Sequence, residues 1–250
     1  MEGDPAALAA AFPALCALQP VGRAPGGLVC APRAAPELAG PALATCPLPH
    51  RALARVPGWP DPPARWLAGW YLRSPAHAPA PAGLRELVQA PGEGFGPAGH
   101  ATTAMCLEAL EALPAGAALD AGCGSGLLAQ AWARLARGPA LACDLDPRAL
   151  DQAARSLAAA GLAGRVELRR VALGILPAGA IAGRVLLANL PLAAHRELLG
   201  RVGAPPRAAL LSGLRPGEAP AVAAAYRALG LEPAARAEAG GFACVALVAP

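Results

Sequence analysis

A run of glycines and three polar side chains carry most of the chemistry this sequence can offer. Leu119-Asp120-Ala121-Gly122-Cys123-Gly124-Ser125-Gly126-Leu127-Leu128 reads as the end of a buried strand, a glycine turn and the first turn of a helix. Such a turn brings backbone N–H groups and a helix N-terminus close to a ligand. The spacing limits the ligand. A dinucleotide fingerprint, Gly-x-Gly-x-x-Gly, needs its third glycine at position 127, and that residue is Leu127, which speaks against a nicotinamide site. Asp144 ends a second apolar stretch 22 residues after Gly122 (144 − 122). A carboxylate there can accept hydrogen bonds from both hydroxyls of a ribose. Asn189 ends a further apolar stretch, where a transferred group would meet its acceptor. His100 stands just ahead of Thr102 and Thr103, either of which suits the N-cap of the helix that follows. His100 is either a hydrogen-bonding loop residue or a catalytic group.

These residues need a scaffold, and the chain from Ala115 onward alternates strand and helix regularly. Strands are expected over 117–121, 140–144, 166–171, 184–189 and 208–212, with helices over 127–137, 147–160, 195–202 and 220–229. The pattern closes with strands near 231–237 and 242–249, joined by the short turn Glu238-Ala239-Gly240-Gly241. Strand–helix alternation implies a mostly parallel sheet, and the closing pair implies an antiparallel hairpin at one edge. Ligands of such sheets sit at the carboxyl ends of the strands, by the switch point. Gly122–Gly126, Asp144 and Asn189 all fall at that edge. Asp146, directly before Pro147, fits a helix N-terminus better than Asp144 does.

Ahead of this core, Leu84–Gln89 reads as a short strand. Phe95-Gly96-Pro97-Ala98-Gly99-His100 then leads into a helix marked by Met105, Leu107, Leu110 and Leu113,. Eighteen of the 29 prolines lie between Pro5 and Pro97, so this part holds neither a long helix nor a large regular sheet. A helix over Ala6–Leu18 broken near Pro13, and edge strands at Gly27–Ala31 and Leu43–Cys46, are the elements it offers. Pro62 to Tyr71 reads as a linker helix, with prolines in its first turn and Trp66 and Trp70 at i, i+4. Pro75, Pro79 and Pro81 then form a stiff connector. The expected organisation is a small, Pro-rich α+β region over 1–60, a linker over 61–83, and a catalytic domain over 84–250.

Composition excludes several classes. All 21 basic residues are arginine, a bias expected of a GC-rich genome. The net charge of +4 is spread along the chain with no basic, aromatic-interleaved stripe, so direct nucleic-acid binding is not expected. The seven cysteines are scattered without a Cys-x-x-Cys pair, against a zinc site or disulfide framework and for a reducing, cytoplasmic setting. The first residues lack the basic region of a signal peptide, and Pro13 interrupts the uncharged stretch 5–22, so no membrane span is expected.

Asp-x-Gly-x-Gly-x-Gly at Asp120–Gly126 is similar to motif I of S-adenosylmethionine-dependent methyltransferases. Together with Phe95, Gly96, His100, Thr102 and Thr103 before a helix, Asp144-Leu145-Asp146-Pro147, Asn189 and Ser212-Gly213-Leu214, it makes the chain resemble the PrmA-type ribosomal protein methyltransferases. The resemblance spans about residues 60–250, with Trp66-Leu67-x-x-Trp70 similar to the family's linker helix. It implies a Rossmann-like class I fold, with a seven-stranded α/β sheet and S-adenosylmethionine as cofactor. The implied activity is N-methylation of amino groups on a large-subunit ribosomal stalk protein. The resemblance carries ligand contacts over to Thr103, Gly122, Asp144 and Asn189. Phe95, Asp120, Gly124 and Gly126 are further cofactor-binding candidates, and Asn189 and His100 are candidates for a catalytic role, with no general base assigned. Residues 1–60 take the place of the family's substrate-recognition domain. Pro97 and Ala98 depart from the family's Thr and Gly in the loop over the cofactor. Two other readings stay open: methylation of an RNA adenine or a small molecule, or a cofactor-binding module without catalysis.

Overall fold

The computed structural model describes residues 64–80, 83–92, 100–177 and 179–250, together with the backbone of three strands nearer the start. Two compact units divide the chain, Met1–Leu87 and Val88–Pro250.

In the first unit, strands β1 (Glu2–Gly3), β2 (Leu18–Ala24) and β3 (Gly27–Pro32) form an antiparallel sheet in the order β1-β3-β2. The strand expected at Gly27–Ala31 is there, but it is the central strand of this sheet and not an edge. The expected helix over Ala6–Leu18 lies outside the described residues except at Leu18, which begins β2. The strand expected at Leu43–Cys46 lies outside them altogether.

The linker helix expected at Pro62–Tyr71 is instead a β-hairpin. Strands β4 (Arg65–Leu67) and β5 (Trp70–Arg73) pair antiparallel, Leu67 opposite Trp70 and Trp66 opposite Tyr71. The turn between them has Ala68 at φ +50° and Gly69 at φ +80°, the left-handed pair that a two-residue hairpin turn requires. Such a turn matches the strand twist, and the β-branched or aromatic content of Trp-Tyr-Leu favours strands over helix. The spacing of Trp66 and Trp70 thus reflects strand pairing, with Trp66 edge-on to Tyr71 at a ring distance of 5.9 Å. Strand β6 (Glu86–Val88) joins this sheet in the order β4-β5-β6. Arg73 and Glu86 form a two-pronged ion pair, at 2.8 Å and 3.1 Å, that is nearly buried. The remaining Arg73 donor goes to the Ser74 and His77 carbonyls.

The second unit holds the seven-stranded sheet. Its strands are β7 (Ala118–Ala121), β8 (Ala140–Asp144), β9 (Val166–Arg170), β10 (Val185–Asn189), β11 (Ala208–Leu214), β12 (Glu232–Ala239) and β13 (Phe242–Val248). The order is β12-β13-β11-β10-β7-β8-β9. Strands β7 to β11 pair in parallel, while β13 runs antiparallel to β11 and β12 antiparallel to β13. This is the expected Rossmann-like α/β sheet with an edge hairpin. Its central strands read as unbroken apolar runs because both faces are covered. Leu119, Leu186, Leu187, Leu210 and Leu247 are all fully buried.

Helices α1 (Ala101–Ala109), α2 (Leu127–Arg134), α3 (Pro147–Ala159), α4 (Leu192–Leu199) and α5 (Ala219–Arg227) cover the sheet. Helix α3 begins as its sequence demands, with Pro147 in the first turn and Asp146 accepting from the Arg148 N–H,. Extended residues at the unit's start are held by buried amides. Gln130 of α2 exchanges two hydrogen bonds with the Val88 backbone, at 2.6 Å and 2.9 Å. Gln152 and Ser156 of α3 do the same for Ala90. These buried side chains supply hydrogen bonds to the backbone of Val88, the last residue of β6, and of Ala90 just beyond it,.

Candidate active site

The strand order reverses between β7 and β10, and the carboxyl ends of those strands, with β8, frame a cavity of about 610 Å³. Gly122, Asp144 and Asn189 line it, as do His100, Thr102 and Phe242. A smaller recess beside the turn is lined by Thr103, Asp120, Gly122 and Asn189.

The glycine turn is glycine for steric reasons. Gly122 has φ +67°, and a Cβ there would run into Leu190 Cδ2. Gly126, the N-cap of α2, has φ +80°, and its Cβ would meet Ala153 Cβ at 2.9 Å. The first contact lets the β10 exit close over the turn, and the second seats α2 against α3. The turn is pinned from two sides. Asp144 Oδ2 accepts the Gly124 N–H at 2.9 Å while its Oδ1 accepts the Asp146 N–H at 3.0 Å. Each oxygen keeps a further lone pair for a ligand. Asp120, almost wholly buried, accepts the Ala129 N–H at 2.9 Å and so ties β7 to the first turn of α2. Burial pushes its carboxyl up to about 7; the Ala129 hydrogen bond opposes that shift and the Asp144 charge adds to it,.

Asn189 closes β10. Its Nδ2 donates to Thr102 Oγ1 at 3.1 Å, while its Oδ1 is buried without a hydrogen-bond partner. The expected N-cap of α1 needs correction. His100 takes that position, with Nδ1 accepting the Thr102 N–H, and neither threonine does. The imidazole nitrogen accepts as a short polar oxygen would, which leaves the threonine hydroxyls for other contacts. His100 also packs edge-on to Phe242 at 5.1 Å, and the Arg215 guanidinium covers Phe242 at 4.6 Å.

Of the residues singled out from sequence, Gly122, Asp144, Asn189 and His100 meet at the large cavity. Thr103 and Asp120 stand at the recess, so Thr102, not Thr103, faces the larger space on α1. Gly124 contributes its N–H to Asp144, and Gly126 starts α2. Phe95, Pro97 and Ala98 lie outside the described residues.

Sequence reasoning missed several groups. Phe242 gave one signal, a rare aromatic opening the last strand. His195 of α4 is fully buried, its Nε2 at 2.9 Å from the Ser212 carbonyl, which also accepts the Leu190 N–H at 2.9 Å. This brace holds the Asn189-Leu190-Pro191 exit against β11. Burial holds the His195 imidazole below its ordinary range. Burial likewise pushes the Cys143 thiol up to about 11 and the Cys123 thiol well above its ordinary range, so neither offers a thiolate. Among the described residues no His, Cys, Asp and Glu cluster fits a metal ion, and no helix is long and apolar enough to cross a membrane.

The family model described as ribosomal protein L11 methyltransferase (PrmA) matches residues 78–249. A ribosomal protein L11 methyltransferase from Bordetella parapertussis is 39% identical over 171 residues, covering 64% of this chain and 54% of that protein. One from Edwardsiella ictaluri is 33% identical over 178 residues, covering 68% and 58%. The chain therefore spans little more than half the length of these curated relatives. Among solved structures, the ribosomal protein L11 methylase from Lactobacillus delbrueckii subsp. bulgaricus superposes with a TM-score of 0.56 at 20% identity, over 72% of this chain and 95% of that one. That likeness bears on fold. The sheet order, the glycine turn with its two carboxylates and the match over residues 78–249 agree: the chain belongs to the ribosomal protein L11 methyltransferase (PrmA) family.

Proposed function

We propose that this chain is an S-adenosylmethionine-dependent N-methyltransferase that modifies amino groups, lysine side chains and the N-terminus among them, of a large-subunit ribosomal protein. The observation that carries the reading is the Asn189 carbonyl oxygen, buried without a partner at the strand end that borders the cavity. A buried acceptor without a donor costs free energy, and a donor on a ligand relieves that cost.

The donor set suits the cofactor. Asp144 has lone pairs for two ribose hydroxyls, and Gly122 offers bare backbone where any side chain would strike Leu190. Asp120 and Thr103 border the recess beside the turn. When bound, S-adenosylmethionine supplies a methyl group already activated by its sulfonium. The protein's share of the work is then orientation and exclusion of water. Asn189 Oδ1 accepts an N–H of the incoming amine and fixes its direction. The brace of His195 and Ser212 keeps the Asn189-Leu190-Pro191 backbone in place behind it. Phe242, with Leu145 and Leu173, gives the cavity an apolar wall that favours the neutral amine over its ammonium.

Residues 1–60 fit the part of a substrate-recognition domain ahead of the catalytic unit, and a ribosomal substrate places the protein in the cytoplasm. Calorimetric titration with S-adenosylmethionine tests the cofactor. Binding by the wild type, weakened in Asp144→Ala by about ten- to a hundredfold as expected for hydrogen bonds to a charged group, supports the reading. Equal binding by both, or none by the wild type, defeats it.

A further inference from the structure

The exit of β10 and the start of α1 share a short hydrogen-bond chain, and the Thr102 backbone N–H sets its direction. The Thr102 backbone N–H donates to His100 Nδ1 at 3.3 Å, so that nitrogen carries no proton. Thr102 Oγ1 lies 2.7 Å from the same nitrogen and must be the donor in that contact. Its single proton is then committed, and towards Asn189 the hydroxyl has only lone pairs to offer. Asn189 therefore presents Nδ2 to it, at 3.1 Å. Oδ1 remains as the amide's contribution to the site, buried and without a partner. Thr102 is itself almost fully buried, and all three residues line the large cavity.

We propose that Thr102, oriented by His100, is a positioning residue that locks the Asn189 amide with its carbonyl available to the acceptor substrate. The lock makes the site selective for acceptors that donate a hydrogen bond, which amines do, over those that only accept one, such as carboxylates. This inference rests on reading the site as an N-methyltransferase. A flipped Asn189 would set N–H against the N–H of an amine, and the Thr102 hydroxyl has no proton left to stabilise that flip. His100 thereby acts through Thr102, and its Nδ1 is already occupied as an acceptor.

The test uses the full chain with purified ribosomal protein L11 and methyl-labelled S-adenosylmethionine. Thr102→Val keeps the shape and removes the hydroxyl; Thr102→Ser restores it. The expected result is a fall in kcat of about tenfold or more in Thr102→Val, with KM for L11 and the cofactor Kd within about twofold of wild type, and recovery in Thr102→Ser. An unchanged kcat in Thr102→Val overturns the proposal. So does a loss of cofactor binding in step with kcat, which marks a purely structural role. A second readout needs no turnover. Long-range proton–nitrogen spectra of the wild type should show His100 with Nε2 protonated and Nδ1 bare, and a protonated Nδ1 overturns the assignment. If the wild type binds cofactor but transfers nothing to L11, the functional reading falls and the selectivity claim with it, while the spectrum still decides the direction of the hydrogen bonds.

Discussion

Asp120 and Asp144 stand at the ends of neighbouring strands, and their surroundings give them different tasks. Asp144 is half-buried, with each oxygen on a backbone N–H and room for more. Asp120 is sealed in and holds a proton up to about pH 7. Its raised value has a sign that can be checked. Between the ordinary carboxyl range and pH 7 the folded chain binds a proton that the unfolded chain has released. Stability from this group is full at low pH and is lost as pH rises towards 7. Asp120→Asn, which keeps an acceptor for Ala129 without titrating, should therefore gain on the wild type over that window, by up to about 1.4 kcal/mol per pH unit. Urea unfolding at a series of pH values measures this, and a constant difference would show that Asp120 stays charged. Gly122→Ala is harsher. Its φ is left-handed and the end of the Leu190 side chain must give way to its methyl group, so it should weaken cofactor binding measured by calorimetry. Glycine spacing and strand-end position made these residues legible in the sequence. Thr102 was read as a cap and as part of the motif before α1, without a role of its own in the site, because nothing in the order His-Ala-Thr-Thr says that the imidazole takes the cap position and frees the hydroxyl.

At the scale of elements, the strands and helices of the second unit were legible within a few residues because β7, β8, β10, β11 and β13 are short apolar runs between glycine or proline breaks. The more polar β9 and β12 lie between helices and turns already placed. Helix α4 begins at Leu192, earlier than the expected His195, since Pro191 supplies a fixed φ ahead of it. The hairpin of β4 and β5 was not legible. Its turn is Ala68-Gly69, without the asparagine or aspartate that usually marks two left-handed residues, and the two tryptophans imitate a helical face. Ala68→Gly should stabilise the hairpin by up to about 1 kcal/mol, the relief of a left-handed alanine less the added freedom of the unfolded chain. Tryptophan fluorescence in a urea titration reads it, and a loss of stability would contradict the left-handed turn. Glu86→Ala leaves the Arg73 guanidinium buried without its partner and should cost about 3 kcal/mol in the same assay. The amides of Gln130 and Gln152 were equally hidden, because a glutamine in a helix gives no sign of the distant backbone it serves.

For the whole molecule, the sheet order puts one reversal next to the glycine turn, and the residues with chemistry gather there from β7, β8, β10 and α1. The family resemblance read from motifs agrees with the family match over residues 78–249. In the first unit Pro20 stands inside β2 and hides it from a reading by pattern, whereas β3, whose proline is its last residue, was legible at Gly27–Ala31. The central claim is methyl transfer to an amino group of a ribosomal protein, and its most direct test is incubation of the full chain with methyl-labelled S-adenosylmethionine and a total ribosome extract. Label in one large-subunit protein, L11, stable to base and absent with Asp144→Ala, is the predicted result. Label in RNA, or none in any protein while the cofactor binds, would contradict the account.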